Sequence, residues 1–172
     1  MTSNLSSHDE LPPPRLATWI ATGFGSGYSP VAPGTAGTLV AIPLVAVLAP
    51  LAVASPTLYL LTLAASIALA IWSAGLAAVG FGLKDPGQIV IDEVVGLFLT
   101  MAFLPATWTN LAAAFLLFRL FDIVKPPPVR WLDENLPGGW GVVLDDVAAG
   151  VMGAIVMGVA TYFGAWDAIA GL

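Results

Sequence analysis

The chain has 172 residues, of which 58% are hydrophobic and 9% charged, and its formal net charge is -6. Soluble domains carry about 25% charged residues, so the composition excludes an ordinary soluble domain, and the acidic balance excludes a basic nucleic-acid-binding surface. With no cysteine and a single histidine, His8, disulfides, thiolate catalysis and cysteine-ligated zinc are excluded, and so is nearly every mechanism that needs an imidazole.

The opening stretch, MTSNLSSHDELPPPR, is polar and closes on the prolines at 12–14. It lacks the basic-then-apolar order of a secretory signal peptide and reads as a disordered tail over residues 1–15. Residues 16–172 read as one membrane-embedded domain. A short helix or re-entrant segment starts near Leu16. The Gly/Ser/Pro/Thr-rich stretch GFGSGYSPVAPGTAGT follows at 23–38. Backbone N–H groups in such a loop, opening onto a helix, suit a phosphate or another anion, and Gly25, Ser26, Gly27 and Thr35 are its candidate contacts. Neither a P-loop nor a GxGxxG fingerprint is present.

Five membrane spans are predicted in an all-α bundle. The first covers 39–54, ended by Pro50 and the Ser55-Pro56 pair, and the second 57–80. The third and fourth have purely apolar cores of only eleven residues each, 94–104 and 111–121, too short at 1.5 Å per residue for a hydrocarbon core of about 30 Å. Either they form a half-crossing hairpin, or the helices extend to 86–104 and 107–124. The second reading is preferred, and it draws Asp92, Glu93, Arg119 and Asp122 into helix ends. The fifth span covers 146–166. With the N-terminus inside, all five basic residues (Arg15, Lys84, Arg119, Lys125 and Arg130) and every acid except Asp167 fall on the cytoplasmic side, in line with the positive-inside rule.

Three helix ends thereby bring carboxylates to one level: Asp92 and Glu93, Asp122, and Asp145 with Asp146. Asp146, Gly150, Ala154 and Gly158 recur every four residues, a spacing of small residues that lets membrane helices approach closely, so Asp146 is expected to point into the bundle. Asp145 and Asp146 at a helix start also fit a plain capping role, and Arg119 fits snorkelling or pairing with Asp122. Five clustered carboxylates nevertheless repel unless cations lie among them. Arg119 and Lys125 offset part of the charge; a divalent cation offsets the rest, and all-oxygen ligation selects Mg2+, Mn2+ or Ca2+. In the run Lys125-Pro-Pro-Pro-Val-Arg130-Trp131, the prolines stop the helix, Trp131 and Trp140 suit the membrane interface, and Arg130 suits an anionic headgroup. The combination describes metal-dependent phosphoester chemistry on a membrane lipid. The rival from another class is a small cation transporter. Such a protein keeps its acids near the midplane, whereas here they collect at one end.

The blocks GFGSGYSPVAPGTAGT, IVIDEVVG at 89–96, FRLFDIVKPPPVRWLDE at 118–134 and GGWGVVLDDVAAG at 138–150 closely resemble the bacterial phosphatidylglycerophosphatase A family, in the family's order and over about residues 16–165. The resemblance implies Mg2+-assisted hydrolysis of phosphatidylglycerophosphate to phosphatidylglycerol and phosphate, in phospholipid biosynthesis at the inner membrane, with the active site on the cytoplasmic face. The positions it implicates are Asp92, Glu93, Arg119, Asp122, Lys125, Asp145 and Asp146, with Gly25, Ser26 and Thr35 in the loop. Glu93, Asp122 and Asp146 are assigned as metal ligands, each lying on a helix face shared with packing or charged residues. Asp92 and Asp145 are assigned as neighbouring ligands or proton-handling groups, and Arg119 and Lys125 as holders of phosphate oxygens. Gly25, Ser26, Gly27, Thr35 and Arg130 are assigned to substrate binding.

Overall fold

The computed structural model describes residues 15–164, so the predicted tail at 1–15, with His8, lies outside the described residues except for Arg15, which opens a helix, and the chain from 165 on, with Asp167, lies outside them too. Among the described residues there are seven helices and a 3-10 turn at Ser26–Tyr28, and no strand. In chain order the helices are α1 (Arg15–Ala21), α2 (Pro33–Ala54), α3 (Pro56–Phe81), α4 (Ile91–Thr100), α5 (Trp108–Val124), α6 (Val129–Asn135) and α7 (Gly138–Tyr162).

Among the described residues, three helices of 18 residues or more, α2, α3 and α7, are long and apolar enough to cross a membrane. Their boundaries follow from local chemistry. Pro33 opens α2, where its missing N–H and fixed φ suit the first helical position. Ser55 caps α3 by accepting a hydrogen bond from Leu58 N at 3.4 Å, again with a proline in the next position. Gly82 ends α3 in the left-handed conformation, at φ 67°. Many large apolar side chains on these helices point outward, among them Val47, Val53, Leu61 and Ile155. In water this surface would be an aggregation hazard; in a bilayer it is the solvent-matched face.

The buried centre is α4, which packs against α2, α3, α5 and α7. Glycines set these approaches. A side chain on Gly96 would run into the Phe118 ring of α5, and one on Gly150 would lie 2.6 Å from the Gly96 carbonyl oxygen. Thr100 Oγ1 donates to Gly96 O at 2.9 Å and lies 3.3 Å from Gly150 O, tying α4 to α7. Tyr59 of α3 donates to Phe98 O at 3.1 Å.

The boundaries differ from the sequence reading in three places. The helix expected over 86–104 is confined to Ile91–Thr100, about 15 Å long, because 86–89 forms a turn closed by Ile89 N donating to Pro86 O at 2.9 Å and the chain is then pinned by Val90 N donating to Ala21 O at 2.9 Å, while the chain turns again at 101–103. The fourth helix, by contrast, lies where expected. The last helix starts at Gly138, eight residues before the expected 146, so Asp145 and Asp146 sit in its third turn and cap nothing. The first long helix likewise starts at Pro33, inside the Gly-rich stretch. The close-packed stripe on α7 runs through Gly139, Gly150 and Gly153, whereas Gly158 faces open space.

Candidate active site

Element order brings the start of α2, the end of α3, the start of α4, the end of α5 and the start of α7 to one end of the bundle. Every described charged residue from Lys84 to Asp146 lies in that end; the turns at 55 and 101–107 at the other end carry none. There, α4, α5, α7, the start of α2 and the 85–89 segment enclose a polar cleft of about 250 Å3.

Two adjoining subclusters line the cleft. In the first, Asp92, Glu93 and Asp146 each place a carboxylate oxygen within 4.8 Å of the others. All three are buried, at 8%, 8% and 3% exposure. Asp92 Oδ1, Glu93 Oε2 and Asp146 Oδ2 are buried without a hydrogen-bond partner. Three such groups in one place need a cation or protons to coexist. Asp92 and Glu93 reach the spot from the first turn of α4, and Asp146 reaches it because Gly150, one turn on, draws α7 against α4.

The second subcluster holds the cations. Arg119 donates from one terminal nitrogen to Asp122 Oδ2 at 2.6 Å, and the same nitrogen stands 3.6 Å from Glu93 Oε1. Lys125 ends α5 in the left-handed conformation, φ 46°. Its ammonium reaches Asp145 Oδ2 at 2.7 Å and Asp133 Oδ2 at 3.0 Å. Burial pulls the Lys125 pKa down, but the hydrogen bonds and charges of Asp145 and Asp133 outweigh it, and the group is held above its ordinary value. Lys84 anchors α6 by donating to Asp133 O at 2.8 Å. Asp85, at the cleft mouth, has its carboxyl raised above the usual range, first by partial desolvation and then by Asp133 and Asp122, with Lys125 and Lys84 opposing.

The start of α2 forms the third wall. Ala32, the residue before the helix, takes φ 46° without supplying a side-chain cap, a strained conformation of the kind that gathers at functional sites. The first-turn N–H groups of Gly34 and Thr35 have no acceptor within the helix. Gly34 faces Glu93 directly: a Cβ there would collide with Glu93 Oε1 and lie 3.1 Å from the Arg119 guanidinium.

The structure thus brings Asp92, Glu93, Arg119, Asp122, Lys125, Asp145 and Asp146 into one cleft. Thr35 lies in the first turn of α2. Gly25, Ser26 and Gly27 do not line the cleft, and their N–H groups are engaged by the carbonyls of Thr22 and Gly23 at 3.0–3.2 Å. Gly27 packs on the Gln88 carbonyl and borders a separate shallow pocket of about 320 Å3. Arg130 points out of the cleft, exposed and paired with Glu134 at 2.8 Å. Sequence reasoning missed Gly34, Asp85 and Asp133. The one-sided distribution of charge was the available signal for both acids. Gly34 sat unsingled among the glycines of the stretch.

The phosphatidylglycerophosphatase A family model matches residues 19–161. Over 139 residues the chain is 40% identical to the phosphatidylglycerophosphatase A of Escherichia coli K12, covering 80% of this chain and 79% of the relative. The protein of the same name from Haemophilus influenzae is also 40% identical over 139 residues, covering 80% of this chain and 84% of the relative. A Bacteroides thetaiotaomicron protein named provisionally as a phosphatidylinositol-3-phosphatase is 43% identical over 157 residues, covering 87% of this chain and 96% of the relative. No solved structure matches the chain.

Proposed function

Because the chain belongs to the phosphatidylglycerophosphatase A family, we propose that it hydrolyses phosphatidylglycerophosphate to phosphatidylglycerol and inorganic phosphate, on the cytoplasmic face of the bacterial inner membrane. The observation that carries the reading is the cleft itself, where a buried carboxylate trio faces Arg119 and an uncapped helix start. The phosphatase names of the relatives, and the gathering of acids at one end of the bundle, leave no support for the transporter reading.

The donor set fits Mg2+. Asp92, Glu93 and Asp146 supply oxygens only, in reach of one another, and each has one buried oxygen without a partner. Bound there, Mg2+ would supply charge neutralisation at the phosphoryl group and acidify water. Asp122 belongs to the same wall, but its Oδ2 accepts from Arg119. Its role here is to fix the guanidinium, which presents its remaining donors to phosphate oxygens. The cradle role assigned to residues 25–27 passes to the N–H groups of Gly34 and Thr35, next to Arg119. Lys125 has three N–H donors, two directed at Asp145 and Asp133; the third can donate to the leaving alkoxide oxygen. Asp145 keeps that ammonium charged and in place. Arg130, outside the cleft, meets anionic headgroups at the surface.

For topology we propose three full crossings by α2, α3 and α7, a fourth by the 17 residues of α5, and an incomplete one by α4 and its following turn. The chain from Arg15 on then forms one membrane domain behind the polar stretch 1–14.

The decisive experiment measures phosphate release by the purified protein from phosphatidylglycerophosphate and, in parallel, from a phosphatidylinositol monophosphate. Release from the first substrate should stop with excess chelator and return with added Mg2+. Undiminished release in chelator would remove the metal, and release from the inositol lipid alone would replace the substrate.

A further inference from the structure

The cleft uses one flank of α4 and leaves the other unexplained. Asp92 and Glu93 face the cleft, but Ile91, Val94 and Phe98 on the same helix wall a separate apolar groove of about 380 Å3. That volume falls within the ~300–1,000 Å3 typical of ligand sites. No charged residue lines the groove. Its one hydroxyl, on Ser66, is turned to the Thr62 carbonyl at 2.8 Å. Apart from the indole N–H of Trp19, a polar or charged ligand would find nothing there to recognise it.

We propose that this groove seats an acyl chain of the phospholipid whose headgroup enters the cleft; the assignment rests on the phosphatase reading above. Three observations carry it. The groove and the cleft approach each other at the start of α4, where Ile89 borders the cleft and Ile91, two residues on, the groove. The groove then descends away from the charged end. Ile91 to Phe98 covers about 10 Å of α4, and Leu44 and Leu48, which form its α2 wall, stand about 15 and 21 Å beyond Gly34. That is the direction an acyl chain takes from the headgroup level towards the bilayer centre. Finally, the groove is continuous with the apolar outer face of the bundle: Leu44, Leu69 and Trp19 line it and remain exposed. Trp19 and Phe24 pack edge to face at 5.2 Å beside the start of α4, an aromatic pair suited to the membrane interface. One lipid can therefore straddle the first turn of α4, with its phosphomonoester on the carboxylate side and a chain on the other.

The test compares long-chain phosphatidylglycerophosphate in mixed micelles with its deacylated, water-soluble counterpart. Ser66→Trp and Leu48→Trp fill the groove without touching the cleft. Each should raise KM for the long-chain substrate roughly tenfold, the loss of a few buried methylenes, and leave kcat and KM for the deacylated substrate unchanged. A second arm uses the native protein and a phospholipid with a diazirine near its chain end. Adducts should map to groove residues on α2 and α4 and be displaced by phosphatidylglycerophosphate but not by phosphatidylcholine. This arm decides the matter if the tryptophan variants fail to fold. Equal KM changes for both substrates, no change for either, or adducts displaced equally by phosphatidylcholine would overturn the assignment, the last making the occupant a structural lipid. Release of phosphate with an unshifted KM overturns the groove alone; no release from either substrate by the native protein overturns the phosphatase reading and the groove with it.

Discussion

Residues 23–29 and 32–38 both set glycines among hydroxyl-bearing residues, but the fold treats them differently. In the first segment the N–H groups of Gly25, Ser26 and Gly27 close turns onto Thr22 and Gly23, and Gly27 lies against the Gln88 backbone in the turn leading into α4. In the second, Pro33 starts a helix whose opening N–H groups have no internal acceptor and whose Gly34 faces Glu93 and Arg119. The proposed anion site therefore lies where local structure leaves N–H groups unengaged, not where glycines are most numerous.

The largest expected effect tests what the second segment faces. Asp92→Asn, Glu93→Gln and Asp146→Asn keep shape and remove charge from the trio, and each should lower kcat at least about 100-fold, roughly 2.7 kcal/mol, with part of the loss recovered at high Mg2+. Near-native rates in all three folded variants would mean that α2 opens onto a cleft with no catalytic role. Arg119→Lys comes next. It keeps the charge but loses the planar fork that reaches Asp122 and still presents donors to phosphate. A loss of about 10- to 100-fold follows from the 1.5–3 kcal/mol of a charged hydrogen bond, visible chiefly in kcat.

Gly34→Ala sharpens the comparison further. Its new methyl meets the tip of the Glu93 side chain, which can yield, and not backbone, which cannot. Stability should change little while Glu93 and Arg119 are displaced, so kcat should fall about tenfold, roughly 1.4 kcal/mol. A variant that melts early but turns over normally once folded would place Gly34 among the packing glycines.

The residues that were legible in the sequence share one property: their signal does not depend on where the chain bends. Hydropathy marks α2, α3 and α7, because a bilayer-spanning helix is apolar for its full length. The carboxylates and their cations were found because charge in an apolar chain is rare and all of it falls at one end. What was not legible depended on tertiary contacts. The ten-residue length of α4 is set by Ala21 pinning Val90, and the early start of α7 by Gly139 fitting against Ile71 O and Gly75 of α3. Neither contact leaves a periodic trace. The expectation that Gly25 to Gly27 cradle phosphate came from composition, and their turn hydrogen bonds are invisible at that level. Asp92, Glu93 and Asp146 place carboxylate oxygens within 4.8 Å of one another, where sequence favoured Asp122 over Asp92; one oxygen of Asp122 instead accepts from the arginine one turn before it on α5.

The smallest effect on turnover is expected in the first segment, with Gly25→Ala and Gly27→Ala measured side by side. Gly25 has open space where a Cβ would go, but its φ of 98° is one that L residues adopt only under strain. The substitution should destabilise by about 1–2 kcal/mol. A methyl on Gly27 would run into the Gln88 carbonyl oxygen, a backbone atom held by its neighbours, so this variant should be the less stable of the two. Neither residue contributes an unengaged N–H to the cleft, so phosphate release per folded molecule should stay within about twofold of native in both, less than 0.5 kcal/mol in the barrier. The measurement pairs a denaturation midpoint with a rate normalised to folded protein. If the rate in Gly25→Ala falls as far as in Gly34→Ala while the midpoints differ as expected, then the two segments act on one phosphate, and the distinction between engaged and unengaged N–H groups does not locate the site.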